Sequence, residues 1–80
     1  MTIDEKVEQI LPKIDHIPEH FWRVYENQFG KDDDGQGDNI EHLYRYMRDK
    51  RLIEPGSKDE NYIVLTTFGY DVVTMHGGWL

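Results

Sequence analysis

The segment from Asp38 to Gly69, DNIEHLYRYMRDKRLIEPGSKDENYIVLTTFG, contains the pattern that decides the fold. Its first part has apolar side chains at helical spacing, and Asp38 with Glu41 has the form of a capping box, which predicts a helix. A polar turn then separates two short apolar runs, Leu52–Ile53 and Asn61–Leu65, which predicts a β-hairpin. The predicted buried face of the helix consists of Ile40, Leu43, Tyr44 and Met47. The segment therefore predicts an α+β fold in which a helix leads into a hairpin.

Two further helices are predicted before this segment. The first begins at a capping box formed by Thr2 and Glu5, and it is expected to kink or stop near Leu11 because Pro12 has no N–H to donate. The second extends from Pro18 to Gly30, since proline suits a first helical turn and glycine suits a helix end. Its aromatic side chains are expected to form one buried face, which consists of Phe21, Trp22, Tyr25 and Phe29.

A final helix is predicted after the hairpin. Either Thr66 or Thr67 caps it, and the pair Gly77-Gly78 ends it. Its buried face is predicted to be either Phe68, Val72 and Val73, or Val72 and Met75. The apolar residues that follow the glycines indicate either a docked terminus or a chain that naturally continues past residue 80.

The composition is that of a small acidic domain without cysteine. Its 80 residues provide for one hydrophobic core, so residues 1–80 are expected to form a single domain. The absence of cysteine excludes disulfides, thiolate metal ligands and a cysteine nucleophile. No apolar run reaches the ~20 residues that span a bilayer, and the acidic start lacks the basic flank of a signal peptide. We therefore expect a soluble cytoplasmic protein without membrane insertion.

The charge of the chain is unevenly distributed. Sixteen acidic and nine basic residues give a net charge of −7, which on average disfavours contact with nucleic acid. Residues 39–58 carry five basic and three acidic side chains, whereas the segments on either side are net negative. The one net positive segment therefore coincides with the predicted third helix and hairpin.

The order of the predicted elements resembles the winged-helix domain. The third helix runs directly into Leu52-Ile53-Glu54, and the return strand Tyr62-Ile63-Val64-Leu65 enters Thr66-Thr67-Phe68-Gly69. This is similar to the G-L-I-E and Y-x-L-T-x-x-G motifs of many bacterial winged-helix transcription regulators. The resemblance extends from Asp38 to Val73, and it differs in having Arg51 where the family often has glycine.

This resemblance implies duplex DNA as a partner and no catalytic activity. In the family's mode of binding, the third helix would enter the major groove, with His42, Arg45 and Arg48 facing bases or phosphates. Lys58 in the hairpin turn would contact a phosphate. The alternative is that the cations of the third helix only stabilise that helix, because Glu41 and Arg45 form a favourable i, i+4 pair.

A second hypothesis is that the domain contacts a protein and binds no nucleic acid. The acidic composition, the carboxylates of residues 32–34 and the apolar pair Trp79-Leu80 favour this interpretation. In a variant of it, the acidic surface mimics DNA for a basic partner. The sequence leaves the partner and the oligomeric state open.

The sequence contains two candidate metal sites, and no cofactor is expected. Aligning residues 30–41 with a calcium-binding EF-hand loop places four carboxylates, Asp32, Asp34, Asp38 and Glu41, at ligand positions. Gly30 replaces the first ligand of such a loop, so a solvated loop is the alternative. The segment His16-Ile17-Pro18-Glu19-His20 matches the zinc motif H-x-x-E-H, but its proline is incompatible with the helix that this motif needs.

No sequence motif indicates an enzyme. The phosphate-binding glycine loops and the nucleophile elbow are missing, and the few Ser and Thr residues have no evident base with an orienting partner. We therefore expect a binding module rather than a catalyst.

Overall fold

The computed structural model describes residues 1–31, 36–75 and 77–80, apart from the side chain of Gln36. In this part of the chain, four α-helices pack with one three-stranded antiparallel sheet, so the predicted α+β class is confirmed. The helices are α1 (Ile3–Ile10), α2 (Phe21–Phe29), α3 (Gln36–Asp49) and α4 (Thr67–Met75), and a 3-10 turn, Leu11–Lys13, follows α1. The strands are β1 (Glu19–His20), β2 (Ile53–Pro55) and β3 (Tyr62–Leu65), in the sheet order β1-β3-β2.

The first helix begins and ends as predicted. The Glu5 N–H donates to Thr2 Oγ1 and the Thr2 N–H donates to Glu5 Oε1, both at 3.1 Å, which completes the capping box. The α-helix ends at Ile10, and Pro12 lies in the 3-10 turn that follows. At the start of this short turn the N–H that proline lacks is not needed, so Pro12 is accommodated there.

The prediction for the start of α2 is wrong. The helix begins at Phe21 rather than at Pro18, because Glu19 and His20 form the short strand β1 and pair with β3. His20 caps the helix instead, since its Nδ1 accepts a hydrogen bond of 3.3 Å from the Trp22 N–H. The strand covers the edge of β3 that the hairpin partner β2 leaves unpaired.

The third helix also begins earlier than predicted. Its first residue is Gln36, so Asp38 lies within the first turn and is not the N-cap. A carboxylate in this turn still interacts favourably with the positive end of the helix dipole. The prediction that a capping box starts at Asp38 is therefore wrong, although Asp38 does place a negative charge at the N-terminal end of the helix.

The end of α3 explains why the chain turns sharply into the hairpin. The Leu52 N–H donates to the Met47 carbonyl and the Arg51 N–H donates to the Arg48 carbonyl, each at 3.0 Å. These two bonds form a Schellman motif, which requires a left-handed residue, and Arg51 has φ +61°. Met47 and Leu52, which occupy the two apolar positions of this motif, are fully buried.

The last helix is capped by Thr66, whose Oγ1 accepts a hydrogen bond of 2.9 Å from the Gly69 N–H. Gly69 is buried against Leu52, and a Cβ added at this glycine would overlap the Leu52 carbonyl oxygen. Val72 is buried and Val73 is half-buried, whereas Phe68 and Met75 are exposed. The predicted burial of Phe68 and Met75 is therefore wrong, because α4 turns the edge that contains Gly69 and Val72 towards the hairpin.

The four helices and the hairpin strands pack around one hydrophobic core in the described part of the chain. Its buried side chains come from α1 and the following turn, from α2, α3 and α4, and from the hairpin strands: Val7, Ile10, Leu11, Ile14, Phe21, Val24, Tyr25, Ile40, Leu43, Met47, Leu52, Ile53, Ile63 and Val72. Trp22 was predicted to belong to this core, but 43% of its surface is exposed. The buried face of α2 is instead Phe21, Val24 and Tyr25, which have the spacing i, i+3 and i+4.

No helix among the described residues has both the length and the apolar composition needed to cross a membrane.

Candidate interaction surface

The exposed face of α3 and the hairpin turn of residues 56–61 lie side by side, and we call them together the α3–hairpin surface. The Tyr44 hydroxyl joins them, because it donates a hydrogen bond of 2.5 Å to the Glu60 carbonyl oxygen. The Tyr44 ring packs edge-on against Phe21, with 5.4 Å between the ring centroids. The helix and the turn are therefore held together and anchored on the core.

The candidate DNA-contacting residues of α3 lie on this surface in different environments. His42 and Arg45 are exposed, and Arg48 is half-buried. Arg45 Nη2 lies 2.7 Å from Glu41 Oε1, one helical turn earlier, and this is the i, i+4 pair that the sequence indicated. The Arg48 guanidinium donates to the Tyr44 hydroxyl at 2.8 Å and lies 5.6 Å from the centroid of the Tyr44 ring. Both arginines thus have partners within their own helix.

Lys58 is exposed in the hairpin turn, between Ser57 and Asp59. The turn is organised by local bonds, because the Asp59 N–H donates to Ser57 Oγ at 3.2 Å and the Asn61 N–H donates to Asp59 Oδ1 at 2.9 Å. Lys58 is therefore exposed on an ordered loop, in which the acidic residues Asp59 and Glu60 follow it in sequence.

The segment that contains this surface is not net positive. Residues 36–62 contain six acidic and five basic side chains, because Asp38, Asp59 and Glu60 lie just outside the positive segment identified in the sequence. Binding to DNA gains free energy when several cations replace the counterions of several phosphates. Because the charge is mixed and both arginines have partners, the structure favours DNA binding less than the sequence pattern did.

A cleft of about 420 Å³ opens between this surface and the start of α2. We call it the Trp22 cleft. Its walls are Trp22 on α2, Tyr44 and Arg45 on α3, and Glu60-Asn61 in the hairpin turn. The remaining lining residues are His20, Phe21, Gly37, Ile40 and Glu41. Its volume falls within the range of ligand sites, roughly 300–1,000 Å³, and aromatic and polar groups converge in it.

The sequence did not reveal the Trp22 cleft, because its walls come from three separate parts of the chain. The one local signal is the position of Trp22 beside the Phe21, Val24 and Tyr25 face, at the flank of the helix. A large aromatic side chain at a flank is only partly covered by the core, and such side chains are enriched at interfaces.

The C-terminal residues Trp79 and Leu80 dock on α1. The Glu8 carboxylate accepts hydrogen bonds from the Trp79 N–H at 2.6 Å and from the Leu80 N–H at 2.8 Å. The Trp79 indole N–H donates to Asp4 Oδ1 at 2.9 Å, and its ring packs against the core. The docking of this pair, one of the two interpretations of its sequence, is therefore observed, and the Leu80 side chain remains exposed.

Asp4 accepts a second hydrogen bond from the Tyr46 hydroxyl, at 2.5 Å. This bond and, to a smaller extent, the one from Trp79 stabilise the carboxylate and lower the pKa of Asp4 below its ordinary value of 3.8. The same bond raises the pKa of Tyr46 above 10.0, because losing the hydroxyl proton would leave two negative groups in contact.

The candidate calcium ligands are only partly described by the structure. Asp32 and Asp34 lie outside the described residues. Asp38 and Glu41 are exposed on α3, and Glu41 is the partner of Arg45. Within the described part of the chain, no three His, Asp or Glu side chains are grouped so as to hold a metal ion.

The two histidines of the candidate zinc motif have separate surroundings. His16 packs against Tyr70 of α4, with 5.2 Å between the ring centroids, whereas His20 caps α2 and packs against Tyr62. They stand on either side of Pro18, and β1 replaces the helix that the motif requires.

Comparisons of the chain with protein-family models, with curated proteins and with solved structures give no match.

Proposed function

We propose that this protein is a non-catalytic module of the winged-helix type that contacts another protein through its α3–hairpin surface. The order of three helices, hairpin and closing helix supports the fold assignment. The left-handed conformation of Arg51 supports it further, because the family often has glycine at this position and glycine favours that conformation.

The pairing of the α3 arginines is the observation that carries the protein-binding function. Arg45 is bound by Glu41, and Arg48 is bound by Tyr44, which is itself bonded to the hairpin turn. A phosphate at Arg45 would be repelled by the Glu41 carboxylate, which lies 2.7 Å from its guanidinium, and Glu60 lines the same cleft. A protein surface, in contrast, can match mixed charges and fill an aromatic cleft.

Binding to duplex DNA is the second candidate function. It is favoured by the position of Arg48, which the Tyr44 bridge places next to the hairpin turn that contains Lys58. In this mode α3 would lie in the major groove, with His42 and Arg45 near the bases, while Lys58 would contact the backbone.

Photo-crosslinking in cells that produce the full chain tests both candidates. A photoreactive amino acid is introduced at Asn61, which is exposed and lines the Trp22 cleft, and in a control variant at Met75, which is 75% exposed on α4. We expect a discrete protein adduct from position 61 that is absent from position 75. Adducts with nucleic acid, or equal protein adducts from both positions, would overturn the proposal.

Fluorescence anisotropy of a labelled duplex provides the second measurement. At low salt, non-specific DNA binding should be detectable at micromolar protein if the surface binds phosphates. We expect no saturable change. A saturable change that is lost in both Arg48→Ala and Lys58→Ala would instead establish the second candidate.

A further inference from the structure

We propose that the Trp22 cleft receives an arginine or lysine side chain from a basic segment of the partner protein. This inference rests on the proposed protein-binding function and adds the chemistry of the partner. Three features of the cleft carry it: an exposed aromatic ring, a surplus of hydrogen-bond acceptors and a net negative charge.

The aromatic ring of Trp22 is suited to bind a cation. Tryptophan is the aromatic side chain that attracts a cation most strongly over its face. The chain itself uses such contacts at three tyrosines, with 5.4–5.7 Å between the cation and the ring centroid. The pairs are Lys6 with Tyr25, Arg48 with Tyr44, and Lys50 with Tyr46. In the described part of the chain, the cations over aromatic rings are these three, so the ring of Trp22 is left for a cation from outside.

The polar groups of the cleft match a group that only donates hydrogen bonds. The lining includes Glu41, Glu60 and Asn61, whose side chains carry carboxylate or amide oxygens. A guanidinium has five N–H donors and an ammonium has three, and neither accepts a hydrogen bond. An anionic group in the same place would meet a lining with a net negative charge.

The charge of the cleft also favours a cation. Glu41 and Glu60 carry two negative charges, whereas Arg45 carries the one arginine or lysine charge of the lining and is paired with Glu41 at 2.7 Å. The whole chain has a net charge of −7, so its field draws basic partners towards the surface before contact.

A titration of the ¹⁵N-labelled full chain with a hexaarginine peptide tests this proposal. The indole N–H signals of Trp22 and Trp79 report separately on the cleft and on the docked terminus. We expect a saturable shift of the Trp22 signal and little change at Trp79. No shift at Trp22, or a shift with a hexaglutamate peptide instead, would overturn the proposal.

Matched variants separate the cleft from the general acidity of the chain. Trp22→Ala should raise the Kd for the peptide about tenfold, whereas Phe68→Ala, which removes a similarly exposed aromatic ring on α4, should leave it within about twofold. Glu60→Gln should weaken binding more than Glu54→Gln, which removes the same charge elsewhere on the hairpin. Equal effects within each pair would refute the cleft as the binding site.

Thermal unfolding of each variant ensures that a loss of binding is not a loss of folding, and the Glu60 and Glu54 pair provides the test if Trp22→Ala is unfolded. A negative titration together with a position-specific protein adduct at Asn61 would refute the cationic ligand and leave the protein-binding function standing. A positive titration without protein adducts would support the cleft's preference for cations and contradict the function on which the proposal rests.

Discussion

The Tyr46 hydroxyl donates a hydrogen bond of 2.5 Å to Asp4, which connects α3 to the first turn of α1. The same carboxylate accepts the indole N–H of Trp79 from the C-terminus. One side chain of α1 therefore binds two elements that are 42 and 75 residues away in sequence. In the sequence, Asp4 lies in the first turn of a predicted helix, and no local pattern indicates that it binds these two elements.

The Asp4 and Tyr46 pair makes stability depend on pH at both ends of the scale. Because the folded pKa of Asp4 is lowered, its contribution is present above pH 3.8 and is lost as the pH falls through the folded value. Because the folded pKa of Tyr46 is raised, its contribution is present below pH 10.0 and is lost as the pH rises through the folded value.

Tyr46→Phe should therefore raise the pKa of Asp4 in an NMR titration of the carboxyl carbons. The free energy of unfolding of this variant should differ from that of the parent more at pH 7 than at a pH below the folded pKa of Asp4. Tyr70→Phe, which changes an exposed tyrosine, is the control. An unchanged Asp4 titration in Tyr46→Phe would contradict the assigned cause of the shift.

Removing the Glu8 carboxylate should release the C-terminus from α1. The carboxylate accepts the N–H groups of Trp79 and Leu80, and hydrogen bonds to charged groups contribute roughly 1.5–3 kcal/mol each. Because the bond to Leu80 is exposed and therefore contributes little, we expect Glu8→Ala to lower the free energy of unfolding by about 1–3 kcal/mol and to accelerate hydrogen exchange at both amides. Asp15→Ala, which removes an exposed carboxylate, should do neither. Unchanged exchange in Glu8→Ala would show that the packing of Trp79 and its bond to Asp4 hold the terminus without Glu8.

Replacing Arg51 by glycine should stabilise the protein. A left-handed residue other than glycine costs roughly 1–2 kcal/mol, and part of the gain is offset by the larger entropy of glycine in the unfolded chain. We expect Arg51→Gly to raise the free energy of unfolding by about 0.5–1 kcal/mol in urea titrations. Lys50→Gly removes the same charge one position earlier, where φ is negative, and should lower it by a similar amount. Destabilisation by both variants would exclude strain at Arg51.

Local signals account for the parts of the fold that the sequence predicted. The Thr2–Glu5 capping box, the stop at Pro12 and the cap at Thr66 each depend on residues within one helical turn. The hairpin was predicted for the same reason, because its two strands and its turn are adjacent in the chain. Such features are visible in a single sequence.

The missed features depend on contacts between distant residues. The strand β1 has two residues, and only its pairing with Tyr62 and Ile63 makes it a strand. The walls of the Trp22 cleft combine α2, α3 and the hairpin turn, so no local pattern marks it. For α2, the aromatic residues suggested one buried face, whereas packing selected the face that includes Val24 and left Trp22 at its edge.

The neighbouring residues Phe21 and Trp22 should therefore differ sharply when each is replaced by alanine. Phe21 is 2% exposed and packs against Tyr44, so Phe21→Ala should lower the free energy of unfolding by about 3–5 kcal/mol. Trp22 is 43% exposed, so Trp22→Ala removes less buried apolar surface than Phe21→Ala does. We expect it to lower the free energy of unfolding by roughly 1 kcal/mol. Urea unfolding followed by circular dichroism measures both. A cost at Trp22 as large as that at Phe21 would place this tryptophan in the core, as its sequence pattern suggested, and would remove the exposed ring on which the cation site depends.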